Sequence, residues 1–312
     1  MTPLLLLVLA IDGAVVNKTT GKPAAESPVV LMRLGDGGMM PVGTVKSGPD
    51  GKFKFDQPAD GPYLLQTTFE GVTYNKVLRP GEPGTGLELP VFSTTRDRSQ
   101  VKIVQHMMLF EPNEGALSVS ESIIFKNDGN SSYNDATNGS YRFALPPAAE
   151  GKVEVRVTGS GGMPINREAQ PAGTANTFKI DYPIKPGESR FDLSYKMPFA
   201  SPGKFQAKIL HPITNDEGIT RIVTPSGVTL KGEGLEDLGA EPQTQAQIYG
   251  LNKAETEFEV TGSGSLRALE ADESGSPEPT AIAPKLMERQ WWIVGLSLFA
   301  LALGFIALLK RA

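Results

Sequence analysis

The sequence predicts an all-β protein: tandem β-sandwich domains followed by a single C-terminal transmembrane helix. Three observations predict it. Turn-forming residues are abundant, 34 Gly and 25 Pro among 312 residues, with no collagen-like period. Between them lie short segments whose apolar residues recur at every second position, the period of a half-buried strand. Near the end, "WWIVGLSLFALALGFIALL" runs from Trp291 to Leu309 without a charge.

Residues 11–93 read as the first domain. Asp12-Gly13 opens a strand, "NKTTGKP" is a loop with Gly and Pro at turn positions, and "VVLMRL" is a strand. Asp50-Gly51 makes a tight turn before Phe53 and Phe55, which period two places on one face. "GPYLLQTTFEGVTYNKVLRPG" supplies two more strands around Gly71.

These residues carry a resemblance. Gly13-x-Val15-x-Asn17, Thr20-Gly21-x-Pro23, Val29-x-Leu31, Asp50-Gly51-x-Phe53-x-Phe55 and Gly61-x-Tyr63 stand in the order and spacing of the carboxypeptidase regulatory-like domain. The match covers about a quarter of the chain. It implies a transthyretin-like sandwich of seven strands. Glu26-Ser27-Pro28 departs from the small residues usual in that family. In metallocarboxypeptidases this module accompanies a separate zinc-bearing domain and supplies no catalytic residue. The glycines and aromatics named above have a purely structural explanation in turns and core.

Residues 97–262 read as a second β-region. Phe191, Leu193 and Tyr195 alternate onto one face, as do Phe205, Ala207 and Ile209. The pattern leaves open whether this region is one elaborate sandwich or two smaller ones.

Residues 263–288 are rich in Ser, Pro, Glu and Ala and predict an extended stalk. The apolar run that follows has nineteen residues, and at roughly 1.5 Å per residue spans about 28 Å, the thickness of a bilayer core. Trp291 and Trp292 stand at one boundary and Lys310 and Arg311 at the other, so residues 310–312 are expected on the cytoplasmic side. Residues 1–10 carry the apolar run Leu4–Leu9 and end in Ala10, which reads as a short or truncated signal segment lacking the usual Lys or Arg. The bulk of the chain is then periplasmic or extracellular.

Composition excludes several activities. Without cysteine there are no disulfides, thiolate metal sites or Cys nucleophiles. A net charge of −5 with no basic run leaves no footprint for nucleic acid. His106 and His211 are the two histidines, far apart and outside any His-Glu-x-x-His motif. "QHMMLF" suggests Cu(I), but alternation puts Met107 opposite His106 and Met108, so core packing is the expectation. "NDGNSSYNDATNGS" at 127–140 has Asp128, Asn130 and Ser132 at calcium-loop spacing. Tyr133 and Gly139 occupy positions that need Gly and Glu, so a polar hairpin loop is expected. No Gly-x-Ser-x-Gly elbow and no phosphate-binding glycine loop occur.

The functional expectation is therefore a non-catalytic, membrane-anchored envelope protein with no cofactor, presenting its sandwiches for protein binding or scaffolding. An alternative is a carbohydrate-binding surface, for which Tyr63, Phe69 and Tyr74 would have to be exposed in a row. A second is a cryptic metal-dependent enzyme, which would need a pocket with polar groups converging around His106 or His211.

Overall fold

Two hydrophobic cores organise the described residues, one inside residues 11–91 and the other inside residues 101–260. The computed structural model describes residues 10–35, 38–211, 213 and 219–266. The described residues are all-β, their one other regular element being a 3₁₀ turn at Pro147–Ala149. Among them no helix is long and apolar enough to cross a membrane. The expected signal segment up to residue 9, the stalk beyond 266, the span Trp291–Leu309 and the tail 310–312 lie outside the described residues.

The first core is enclosed by two sheets. In one, Ile11–Asn17 pairs antiparallel with Lys22–Pro23 and Lys52–Phe55 and parallel with Leu87–Val91. The other runs Gly38–Lys46, Pro28–Gly35, Tyr63–Phe69, Val72–Leu78. The Gly38–Lys46 strand escaped the sequence reading because its side chains are mostly exposed and it lacks a buried alternate row. Phe53 and Phe55 both point inward, meeting edge to face at 6.1 Å. Gly13 lies where the parallel strand approaches closely: a Cβ there would stand 2.1 Å from the Leu87 carbonyl oxygen. Gly51, at φ +76°, makes the turn that only a residue without Cβ enters freely.

The second core lies under an eight-stranded sheet. Its order is Ile165–Arg167, Glu154–Thr158, Gly187–Pro198, Ala116–Asn127, Val101–Asn113, Thr220–Thr224, Gln247–Leu251, Leu235–Ala240. Two three-stranded sheets contribute to the same core. One is Tyr141–Ala144, Thr177–Ile180, Gln170–Pro171; the other is Gly203–Lys208, Glu255–Thr261, Thr229–Gly232. Phe110, Phe205 and Phe258 join the large sheet to the second small one, with ring centroids 4.7 to 5.8 Å apart. The alternation of Phe191, Leu193 and Tyr195, and of Phe205, Ala207 and Ile209, places all six inside.

Between the cores, Thr94–Thr95 pairs in parallel with Ser132–Tyr133. At the far end the chain is fastened: Gly264 N–H donates to the Pro112 carbonyl, and Glu111 Oε1 accepts from Ser265 Oγ at 2.7 Å and from the Leu266 N–H at 2.9 Å. Residues 264–266, which the sequence reading placed in the stalk, are thus hydrogen-bonded to the Val101–Asn113 strand. The buried Glu111 carboxylate, which needs donors once removed from water, holds these residues against the long strand.

Candidate functional site

The longest strand carries an irregularity that builds the site. In Val101–Asn113, Ile103 pairs with Phe125 but Gln105 pairs with Ile124, so Val104 is an extra residue, a β-bulge. Val101 and Ile103 point into the core. Strict alternation would continue with Gln105 inward and His106 outward. The bulge shifts the phase, and His106 and Met108 become the inward residues, 1% and 2% exposed.

On the neighbouring Ala116–Asn127 strand the inward row is Leu117, Val119, Glu121, Ile123 and Phe125, with a carboxylate at its centre. Met108 pairs with Glu121, so His106 lies diagonally across from it. Tyr195 pairs with Val119 on the other side and is likewise diagonal to Glu121. Such neighbours are within reach of long side chains. His106 Nε2 lies 3.1 Å from Glu121 Oε2, and the Tyr195 hydroxyl donates to Glu121 Oε1 at 3.2 Å. Thr220, on the parallel neighbouring strand, places Oγ1 3.5 Å from His106 Nδ1. Both ring nitrogens are thus engaged: Nε2 with the carboxylate, and Nδ1 with a threonine hydroxyl that can either donate or accept.

Glu121, His106 and Tyr195 line one side of a cleft of about 240 Å³. Other parts of its wall come from Tyr141 and Phe143 of one small sheet and Phe205 of the other. Lys208 and Glu255 also line it, paired with each other at 3.5 Å. Thr220 does not line the cleft and is buried behind the imidazole. Burial holds the Tyr141 phenol protonated far beyond the ordinary tyrosine range. Burial, then the Glu121 charge, does the same for Tyr195.

The remaining sequence candidates lie elsewhere. His211 sits outside the cleft wall, its ring 5.7 Å from Tyr141 and its Nδ1 3.4 Å from Arg98 Nη1. Burial lowers its pKa to about 4, helped by the positive charges of Arg98 and Arg142. Among the described residues no three His, Asp or Glu side chains converge as metal ligands. Met107 faces away from His106 and Met108 and is 37% exposed, so the three do not share a face.

The polar loop at 127–140 spends its oxygens on structure. Asp128 pairs with Lys126, and Asp135 accepts from Thr137 and Asn138. Ser132 is fully buried beside Tyr74. Tyr63 and Tyr74 are buried and Phe69 packs on the first core, so these rings form no exposed row. The carbohydrate alternative loses its platform because the period-two phase of both strands turns the rings inward.

Sequence reasoning missed Glu121, and the signal was present: "LSVSESIIF" puts a carboxylate in phase with Leu117, Val119, Ile123 and Phe125.

No family profile matches the chain, and no curated protein matches it. Among solved structures it is similar to an M1 zinc metallopeptidase from Deinococcus radiodurans, with 13% identity over 52% of this chain and 42% of that one and a TM-score of 0.27. A two-domain form of an M1 zinc metallopeptidase mutant bound to L-arginine gives the same values. This chain thus spans less than half the length of those structures. At that score the likeness carries no argument about fold, site or activity.

Proposed function

We propose that this chain is a non-catalytic binding protein. In this reading the apolar run Trp291–Leu309 tethers it to a membrane and its tandem β-sandwich domains stand outside the cytoplasm. The first domain, of the carboxypeptidase regulatory-like kind, serves as an accessory module, and the second offers a ligand cleft to an envelope partner.

One observation carries the reading. Thr220, His106 and Glu121 form a hydroxyl–imidazole–carboxylate chain, but it is turned around relative to a hydrolase. There the hydroxyl faces the substrate and the carboxylate is buried behind the base. Here the carboxylate faces the cleft and the hydroxyl is sealed behind the ring. Such an order offers a charged acceptor to a ligand and withholds the nucleophile.

Protease accessibility of the full chain tests the placement. Digestion of the β-domains from the outer face of the membrane is the expected result; protection until the inner membrane is opened would sink it. Steady turnover of peptide or ester substrates by the purified chain, lost in Thr220→Val, would overturn the non-catalytic reading.

A further inference from the structure

We infer that the cleft beside Glu121 binds a primary ammonium group carried on a short alkyl chain. The inference rests on the reading of this cleft as a binding site and names the chemistry of its ligand.

Charge is the first argument. The ionisable groups lining the cleft, apart from its tyrosines, are Glu121, Glu255, Lys208 and His106. Lys208 is matched by Glu255. Among the described residues Glu121, 6% exposed, is ion-paired with no Lys or Arg; its donors are the His106 imidazole and the Tyr195 hydroxyl. A carboxylate so far removed from water gains most from a cation brought to it.

Hydrogen-bonding capacity is the second. Each Glu121 oxygen takes one donor, Tyr195 on Oε1 and His106 on Oε2, and retains a lone pair. Tyr195 spends its proton on Glu121 and presents only oxygen lone pairs to the cleft. At Glu121 and Tyr195 the cleft therefore presents free acceptor lone pairs. An ammonium, with three donors and no acceptor, complements these lone pairs, while a carboxylate or phosphate set against Glu121 would meet repulsion.

The walls agree. Tyr141, Phe143 and Phe205 provide aromatic surface that packs an alkyl chain and attracts a cation at the ring face. About 240 Å³ lies below the roughly 300–1,000 Å³ of drug-sized sites, enough for a small amine or one lysine side chain.

The test uses the full-length chain in detergent micelles with methyl-labelled methionine, because Met108 lines the cleft. n-Butylammonium and Nα-acetyl-lysine amide are titrated against 1-butanol and butyrate, which share the chain but not the cation. Saturable shifts of the Met108 methyl with n-butylammonium, and none with butyrate, are expected. A tighter response to the lysine derivative would assign the source to a partner's side chain; a tighter response to the free amine would assign a small metabolite. Glu121→Gln should weaken ammonium binding about ten- to hundredfold. Because that substitution lies in the core, Ala175→Trp serves as a second variant: Ala175 is exposed and lines the cleft, so the indole should block entry and abolish the shifts. Binding of butanol or butyrate as tight as that of n-butylammonium, blocked by Ala175→Trp, would overturn the ammonium assignment and leave the binding cleft standing. No saturable shift with any of the four compounds would overturn both.

Discussion

Tyr74 packs in the first core and Ser132 precedes Tyr133 of the second, and their hydroxyl oxygens stand 2.9 Å apart with Ser132 fully buried. Tyr74 donates to the Phe92 carbonyl, so Ser132 donates to Tyr74. Around this pair Asn17 donates to Ser93 Oγ, and the Thr94 N–H and hydroxyl donate to Glu70. The junction is thus a closed hydrogen-bonded seam, and the chain from Val91 to Val101 is held along much of its length rather than swinging as a linker.

Removing the Tyr74 hydroxyl should be felt by both domains. Tyr74→Phe keeps the ring in the first core but leaves buried Ser132 without its acceptor, which costs about 1–3 kcal/mol. Urea unfolding should show a lower midpoint with near-normal slope, and Ser132→Ala should lessen the loss when combined with Tyr74→Phe. Additive losses in the double variant would contradict the coupling.

Lys185 contributes a pH dependence to the same seam. Its ammonium lies 4.8 Å from the centre of the Tyr74 ring and donates to the Thr73 carbonyl at 2.5 Å, and burial lowers its pKa to about 8. Between pH 8 and about 10.5 the unfolded chain holds more of this proton than the folded one. Stability from this group should therefore rise with pH across that window and be flat below it. The buried tyrosines act in the opposite direction above about pH 10, since their raised pKa values favour the unfolded state there. The readout is the difference between wild type and Lys185→Met, whose relative advantage should shrink from pH 8 upward.

His211 predicts a loss on the acid side. Its pKa falls from 6.5 to about 4 on folding, so between those values the unfolded chain binds the extra proton. The stability contributed by the neutral ring is complete above pH 6.5 and is lost as pH falls towards 4. Over that range His211→Asn should lose less stability than wild type in thermal unfolding. Equal losses in the two proteins would count against the assignment.

Gly13→Ala should disrupt the first domain. The new methyl would lie 2.1 Å from the Leu87 carbonyl oxygen, so the parallel strand pair must open to admit it. A loss of about 3 kcal/mol or more is expected. Gly71→Ala, at φ +78° but with open space around it, should cost less. A comparison of the two midpoints checks that close approach, rather than glycine content, is the cause.

Much of the second core was legible because period two suffices to assign faces within one strand. Phe191, Leu193 and Tyr195 needed no partner to be placed inside. The candidate site was harder to read. His106 was visible as a histidine in a strand, but its partners Glu121 and Thr220 come from two other strands, and Glu121 was hidden in a segment that otherwise reads as ordinary core.

The sequence alone determines the all-β class, the turns at Asp50-Gly51 and the inward rows of most strands, because those follow from local alternation and backbone preference. Only the tertiary structure decides that Val104 is the extra residue of a bulge, that His106 thereby turns inward, and that it meets Glu121, whose other oxygen takes the Tyr195 hydroxyl. Register is set by the neighbouring strand. A one-residue slip reverses every side chain after it, and no local pattern in "VKIVQHMMLF" specifies where that slip occurs.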